Sequence, residues 1–282
     1  MNGTAIVTDS TADIPGELLE KYNIHLVPLS VIFGNQSFRE DGKEITAAQF
    51  YQKLQESRAL PKSAQPSPGD FFETYSRLFK TYDNVISIHI SKKMSGTIDS
   101  AVMAKKKIAD KNIEIIDSEL VHMPLGFLVL NAAQMAQQGK SVDQIVEGTN
   151  NLKSKMHSLF IPNTLEYLQK GGRIGRARSL IASVLEIKPI LTLKFGEVSQ
   201  FKTTRRWRQA KNELVKSMAA MVDDPGRLIV SVADSDTWSE GEEMKQKIEE
   251  TFHPKQIIRV SFGCVLGTHL GPGALGITFY ED

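Results

Sequence analysis

The chain has little cysteine. The single Cys264 has no partner for an internal disulfide, and no paired Cys/His spacing of the kind that builds a zinc site occurs. The six histidines are scattered, with no His-x3-His or His-Glu pair among them, so a metal is not expected. Also missing is any run of 18 or more apolar residues, and the N-terminus, MNGTAIVTDS, lacks a basic segment followed by an apolar stretch and a small-residue cleavage site. These absences predict a cytoplasmic protein in a reducing compartment, with no integral membrane segment. Net charge is nearly absent too: 34 Lys plus Arg stand against 33 Asp plus Glu, a formal charge of +1. Bulk charge therefore attracts neither nucleic acid nor membrane, and an anion site has to be local.

What is present is an ordinary globular composition, 41% apolar and 24% charged, in a chain long enough for one large or two modest domains. Short β-branched runs alternate with stretches of helical period, which predicts an α/β protein: two α/β domains, the first with a mainly parallel sheet, the second with a mixed sheet. The pattern predicts strands at Thr4–Thr8, from Leu26 to a turn at Gly34-Asn35, at Val85–Ile90 and at Ile113–Asp117. Helices are expected at Pro15–Tyr22, Thr46–Glu56, Ser67–Lys80, Thr97–Ala109, Met123–Gln138 and Ser141–Lys155, with Ser57–Pro68 a polar connection. Ser67-Pro68-Gly69-Asp70 and Ser141-Val142-Asp143-Gln144 read as helix starts. The pattern restarts with LFIP, so the boundary is placed at residue 160, giving domains 1–160 and 161–282. The second contains a hairpin over Pro189–Thr204 turning at Gly196, a helix over Arg208–Met221, a strand from Leu228, a helix capped by Thr237 and Glu240, and strands at Ile257–Phe262 and Leu275–Phe279.

Charge is unevenly placed. From Lys170 to Lys211 there are eleven basic residues against two acids, Glu186 and Glu197, enough to steer an anionic ligand or acidic partner; the same stretch also reads as a solvated basic face. Ligands of parallel sheets sit beyond the carboxyl ends of the strands, which singles out Asp9-Ser10-Thr11, Ser91–Gly96 and Asp117-Ser118. In Ser95-Gly96-Thr97 the glycine admits close backbone approach, and the hydroxyls with the helix N-terminus favour an anion; a helix cap without ligand uses the same residues. His269 stands among glycines in what reads as a loop. Gly271-Pro272-Gly273-Ala274-Leu275-Gly276 matches G-x-G-x-x-G, but a strand rather than a helix follows it, and Gly171–Arg176 is not closed by G-K-[ST], so no dinucleotide or ATP site is expected. A Ser/His/Asp hydrolase is assembled on paper from Ser95, His269 and Asp9, though Lys93–Thr97 is not a G-x-S-x-G elbow.

An ordered set of motifs spans nearly the whole chain: Val7–Asp13 (VTDSTAD), Lys62–Ser67 (KSAQPS), Ser91–Ser100 (SKKMSGTIDS), Tyr167–Ile174 (YLQKGGRI), Lys188–Leu191 (KPIL) and Gly267–Gly273 (GTHLGPG). Together they resemble the DegV family of bacterial fatty-acid-binding proteins, and the chain looks FakB-like. The resemblance implies a two-domain α/β protein that buries one long-chain fatty acid in a tunnel, its carboxylate near the domain junction. It implies head-group contacts from Ser63, from Ser95 with Gly96 and Thr97, from His269, and from Arg205, which matches a family arginine. It further implies no catalytic residue and no cofactor beyond the bound fatty acid. The protein's partner would be a separate ATP-dependent fatty acid kinase that makes an acyl phosphate for phospholipid synthesis. A stand-alone serine hydrolase or acyltransferase, or a lipid-sensing regulatory protein, are the alternatives. Two departures stand out: Ser63-Ala64-Gln65-Pro66 replaces the family's Thr-Ser-Gln-Pro, and Val121-His122-Met123-Pro124 replaces small residues with a Met-Gly pair.

Overall fold

The structure, a computed structural model, describes residues 3–57, 59–108, 110–182 and 187–282. Ala109, where the fourth expected helix ends, and Glu186, one of the two acids in the basic stretch, lie outside them. The chain divides into two compact units, Met1–Thr46 with Pro61–Ser154, and Ala47–Leu60 with Lys155–Asp282. The boundary expected at residue 160 falls inside a strand of the second unit.

The chain begins with β1 (Thr4–Asp9), a single 3-10 turn (Ser10–Ala12), α1 (Gly16–Lys21), β2 (Ile24–Val27), β3 (Ser30–Phe33) and β4 (Gln36–Arg39). Helix α2 (Ala47–Glu56) belongs to the second unit. The first unit resumes with β5 (Lys62–Ala64), α3 (Pro68–Leu78), β6 (Asn84–His89), α4 (Thr97–Lys105), β7 (Asn112–Asp117), α5 (Met123–Gln137) and α6 (Val142–Lys155). Its main sheet has the order β2-β1-β6-β7, every pair parallel. Parallel strands covered on both faces read as largely apolar runs, as Ala5–Val7 of β1 and Val85-Ile86 and Ile88 of β6 do. Helices α3 and α4 bring Phe71, Tyr75, Leu78, Ala101 and Ala104 to a core with Ala5, Val7, Val27, Val85 and Ile113. Helix α5, buried at ten positions, packs on β1 and β6.

Local chemistry explains the helix starts. The Ser67 hydroxyl accepts from Asp70 N at 3.2 Å while Ser67 N donates to the Asp70 carboxylate at 2.8 Å, with Pro68 at the first helical position. Ser141 and Gln144 exchange the corresponding bonds at 3.3 and 3.0 Å. Two expectations need correction. The strand from Leu26 is two strands, because Pro28 has no N–H to continue a ladder; β2 joins the parallel sheet, whereas β3 joins a small antiparallel sheet of order β4-β3-β5. The connection Ser57–Pro68 is accordingly not all loop, since it holds β5, where Ser63 pairs with Val31.

The second unit continues with β8 (His157–Ile161), α7 (Glu166–Lys170), a 3-10 stretch (Gly175–Ala182), β9 (Lys188–Lys194), β10 (Glu197–Thr204), α8 (Trp207–Ala219), β11 (Leu228–Asp234), α9 (Trp238–Phe252), β12 (Gln256–Ser261), α10 (Cys264–Leu270) and β13 (Leu275–Glu281). Its sheet has the order β10-β9-β8-β13-β11-β12 and is mixed: β11 and β12 are parallel, the other neighbours antiparallel. Phe195 and Gly196, with φ of 54° and 77°, turn the β9–β10 hairpin, as the right-handed strand twist prefers. Helices α8 and α9 place Leu214, Met218, Met244 and Ile248 in a core with Leu159, Val230, Val232, Ile277 and Phe279.

Helix α2 is bound into this unit by its aromatic face. Phe50 is fully buried, Tyr51 donates to Phe262 O at 2.9 Å, and a Cβ on Gly267 of α10 would lie 2.5 Å from the Phe50 ring. The start of α9 also differs from expectation: the Thr237 side chain makes no capping bond. Asp234 accepts from Thr237 N at 2.6 Å instead, and the Glu240 carboxylate turns to Trp207 Nε1 and Lys211 Nζ at 3.2 and 2.7 Å.

Candidate functional site

In the order β2-β1-β6-β7 the strand connections diverge between β1 and β6, and an open parallel sheet has its ligand crevice outside the carboxyl ends at such a point. The loops there are Asp9–Thr11 and Ser91–Gly96. Gly96 is the N-cap of α4, and no side chain caps that helix. The Ser95 and Thr97 hydroxyls, which a plain cap would aim at the first amides, pair with each other at 2.9 Å. Neither hydroxyl therefore serves as a side-chain cap of α4, whose N-terminus carries the positive end of the helix dipole. Gln65 donates to Gly96 O at 3.1 Å and to the Ser100 hydroxyl at 3.2 Å. A Cβ on Gly96 would collide with the Gln65 amide. The segment carrying Ser63 is thereby tied to the same helix end.

The structure thus brings Ser95, Gly96 and Thr97 together and links them through Gln65 to the strand of Ser63; His269 and Arg205 lie in the second unit. Arg205 is exposed in the turn from β10 to α8. His269 is not in a loop, as its glycine-rich surroundings suggested, but in the last turn of α10. The glycines serve packing: a Cβ on Gly171 would overlap the His269 imidazole, and one on Gly271 would overlap the Tyr167 ring. Burial, and then the nearby charge of Arg173, push the His269 pKa down to about 4, so the ring is neutral at physiological pH.

A group that is neutral in the fold and protonates at an ordinary pKa near 6.5 when unfolded stabilises the fold fully above pH 6.5. That contribution is lost as the pH falls toward 4, because the unfolded chain binds the extra proton. His269 is half-buried, and with solvent screening the loss is on the order of 2 kcal/mol. Burial lowers His25 and His157 as well, so the contribution is isolated by difference: urea unfolding of the native chain and of His269→Gln at pH 7 and pH 4.5 should show a weaker acid destabilisation in the variant. Equal losses in both would remove His269 from the balance.

Asp9 cannot complete a triad with Ser95 and His269. It is fully buried, and its two oxygens accept four bonds within the first unit: from Thr11 N at 3.1 Å, the Thr11 hydroxyl at 2.5 Å, His89 Nδ1 at 2.9 Å and Ile90 N at 3.0 Å. The histidine of Asp9 is His89, which the sequence reading passed over, as it did Gln65 and Ser100. The legible signal for His89 was a pair of polar residues two positions apart, Ser87 and His89, among the apolar Val85, Ile86, Ile88 and Ile90. The basic stretch is also less exposed as charge than its composition implied. Lys170, Arg176, Lys202 and Lys211 pair with Glu166, Glu197, Glu213 and Glu240, three of those acids lying outside the stretch. Among the described residues no group of three His, Cys, Asp or Glu is arranged to hold a metal, and no helix is long and apolar enough to cross a membrane.

Comparison with known proteins gives a consistent result. The family model described as "Uncharacterised protein, DegV family" matches residues 3–282. A DegV domain-containing protein of Listeria monocytogenes is 37% identical over 277 residues, covering 98% of this chain and 97% of the relative. Among solved structures, a fatty-acid-binding DegV family protein from Thermus thermophilus superposes with a TM-score of 0.93 at 31% identity, over 99% of this chain and 100% of the other. DegV from Bacillus subtilis, described as a fatty acid binding protein, gives 0.92 at 32% identity, over 99% of both chains.

Proposed function

Because the chain belongs to the DegV family, we propose that it is a cytoplasmic carrier that buries one long-chain fatty acid and presents its carboxylate to a separate ATP-dependent fatty acid kinase. The carboxylate is held by Ser63, by Ser95, Gly96 and Thr97 at the start of α4, by His269 and by Arg205. The protein itself supplies no catalytic residue and needs no cofactor. The observation that carries this reading is the N-terminus of α4, with a glycine cap and two hydroxyls paired with each other rather than with the helix, since the amides of a helix start favour an anion. The fatty acid binding described for the Thermus and Bacillus relatives supports it over the full chain length.

The energetics favour such a ligand. Burying roughly 15 methylenes at about 0.8 kcal/mol each is worth on the order of 12 kcal/mol before ordering costs. An ionised carboxylate out of water requires several donors, and hydroxyls, helix amides, an imidazole and a guanidinium supply them. The exposed Arg206 and Arg208 are suited to an acidic face of the kinase. The hydrolase alternative loses its acid, since Asp9 is saturated by other donors.

Denaturing extraction of the purified protein, with mass spectrometry of what is released, should yield one near-stoichiometric fatty acid. An empty protein that also fails to bind added fatty acids would overturn the reading. Co-purification of an ATP-dependent kinase, with acyl phosphate formed only when both proteins are present, tests the partnership.

A further inference from the structure

The segment Asp9–Asp13 touches the connection after every other strand of the parallel sheet. The Ser10 hydroxyl accepts from Leu29 N, just past β2, at 3.0 Å. Asp9 accepts from His89 and Ile90 at the end of β6. Beyond β7, His122 N donates to Thr11 O at 2.7 Å, and His122 Nδ1 lies 2.7 Å from the Asp13 carboxylate. Asp13 and His122 both have positive φ, 48° and 63°, and His122, with ψ of −154°, occupies a conformation natural only to glycine. Such strain persists only where the surroundings impose it, and it marks places where position matters. A Cβ on Gly126 of α5 would lie 2.8 Å from Ala12 O, so the helix also closes on this segment.

Behind Asp9 runs a buried chain of side chains. His89 Nε2 lies 2.6 Å from the Ser87 hydroxyl, which accepts from the Tyr75 hydroxyl at 2.8 Å; Tyr75, Ser87, His89 and Asp9 are all fully buried. One arrangement satisfies every group: Tyr75 donates to Ser87, Ser87 to His89 Nε2, and His89 Nδ1–H to Asp9. The Asp9 carboxylate then has four donors, none of them from a ligand. His89 closes β6, and Ile90 and Ser91 lead straight into the loop that ends at Ser95-Gly96-Thr97.

We infer that Asp9 and His89 are positioning residues for the carboxylate end of the ligand, fixing the Ser91–Gly96 loop so that the start of α4 is preformed for an anion. The inference rests on the fatty-acid reading above and assigns these two residues no contact with the ligand. A site preformed by buried partners loses selectivity for the group it was shaped to meet when a partner is removed, more than it loses general affinity.

The test compares palmitate with hexadecan-1-ol, ligands of equal chain length that differ in the carboxylate, on the full chain and on Asp9→Asn and His89→Asn. The variants should bind palmitate about tenfold or more weakly and the alcohol within about twofold of the native chain. Equal weakening for both ligands would reduce the pair to scaffolding, and unchanged palmitate binding would remove it from the site; either overturns the inference. If the native chain binds palmitate no better than the alcohol, the fatty-acid reading itself falls, and the inference with it. Thr11→Val removes one of the four Asp9 donors with little change of shape, and should show the same acid-selective loss, severalfold, even if the more severe variants do not fold.

Discussion

Replacing Gly271 by alanine is expected to lower the stability of the protein by about 3–5 kcal/mol. Two costs add at this residue. Its φ of 70° with ψ of −177° belongs to a region that side chains rarely enter. The Cβ direction also points into the half-buried Tyr167 ring, with three ring atoms inside contact distance, so the ring or the backbone has to shift. Gly172 separates the two costs, because it has φ of 69° but open space around its Cβ direction; Gly172→Ala should therefore cost only about 1 kcal/mol. Urea unfolding of both variants checks the contrast. If Gly271→Ala proves as mild as Gly172→Ala, the close packing of α7 against the end of α10 is not as described.

The double variant Ser63→Ala, Ser95→Ala should weaken fatty acid binding by about 100-fold, near 3 kcal/mol, since each hydroxyl bonded to a carboxylate is worth about 1.5–3 kcal/mol. Ser95→Ala also takes from the fully buried Thr97 hydroxyl its 2.9 Å partner, at a further cost of about 1 kcal/mol to the fold, so affinity is to be read on material shown to be folded. Titration calorimetry measures the loss. Unchanged affinity together with unchanged kinase-coupled acyl phosphate formation would sink the assignment of the two serines.

Much of the architecture was legible because its signals are local. Short β-branched runs gave β1, β6 and β7; Ser67-Pro68-Gly69-Asp70 and Ser141–Gln144 gave two helix starts; Gly196 gave the hairpin turn. What escaped depends on partners distant in sequence. Lys62–Ala64 is a strand only because β3 offers it an edge, and Lys-Ser-Ala between prolines carries no such message. Helix α10 is Cys-Val-Leu-Gly-Thr-His-Leu, and Gly267 within it and Gly271 just after it, which read as loop, are needed to let Phe50, Tyr51 and Tyr167 approach. At the site, the hydroxyls of Ser95 and Thr97 were readable as anion ligands from the turn they occupy. Gln65 was not, since an amide two residues after Ser63 gives no hint that it reaches Gly96 and Ser100. Asp9 was read as an available acid, whereas its occupation by His89, 80 positions away, exists only in the folded sheet.

Helix α2 has a consequence for the order in which the protein is made. It is synthesised among residues of the first unit but completes the second, whose Phe262 and Gly267 meet its aromatic face. At ~5–20 residues per second these partners leave the ribosome on the order of 10–40 s after Phe50 does. Throughout that interval the nascent chain carries a helix whose aromatic face has nowhere native to dock. A ribosome-bound fragment ending near residue 160 should consequently be a better client for chaperones than the finished protein, with Phe50 and Tyr51 as the attachment point.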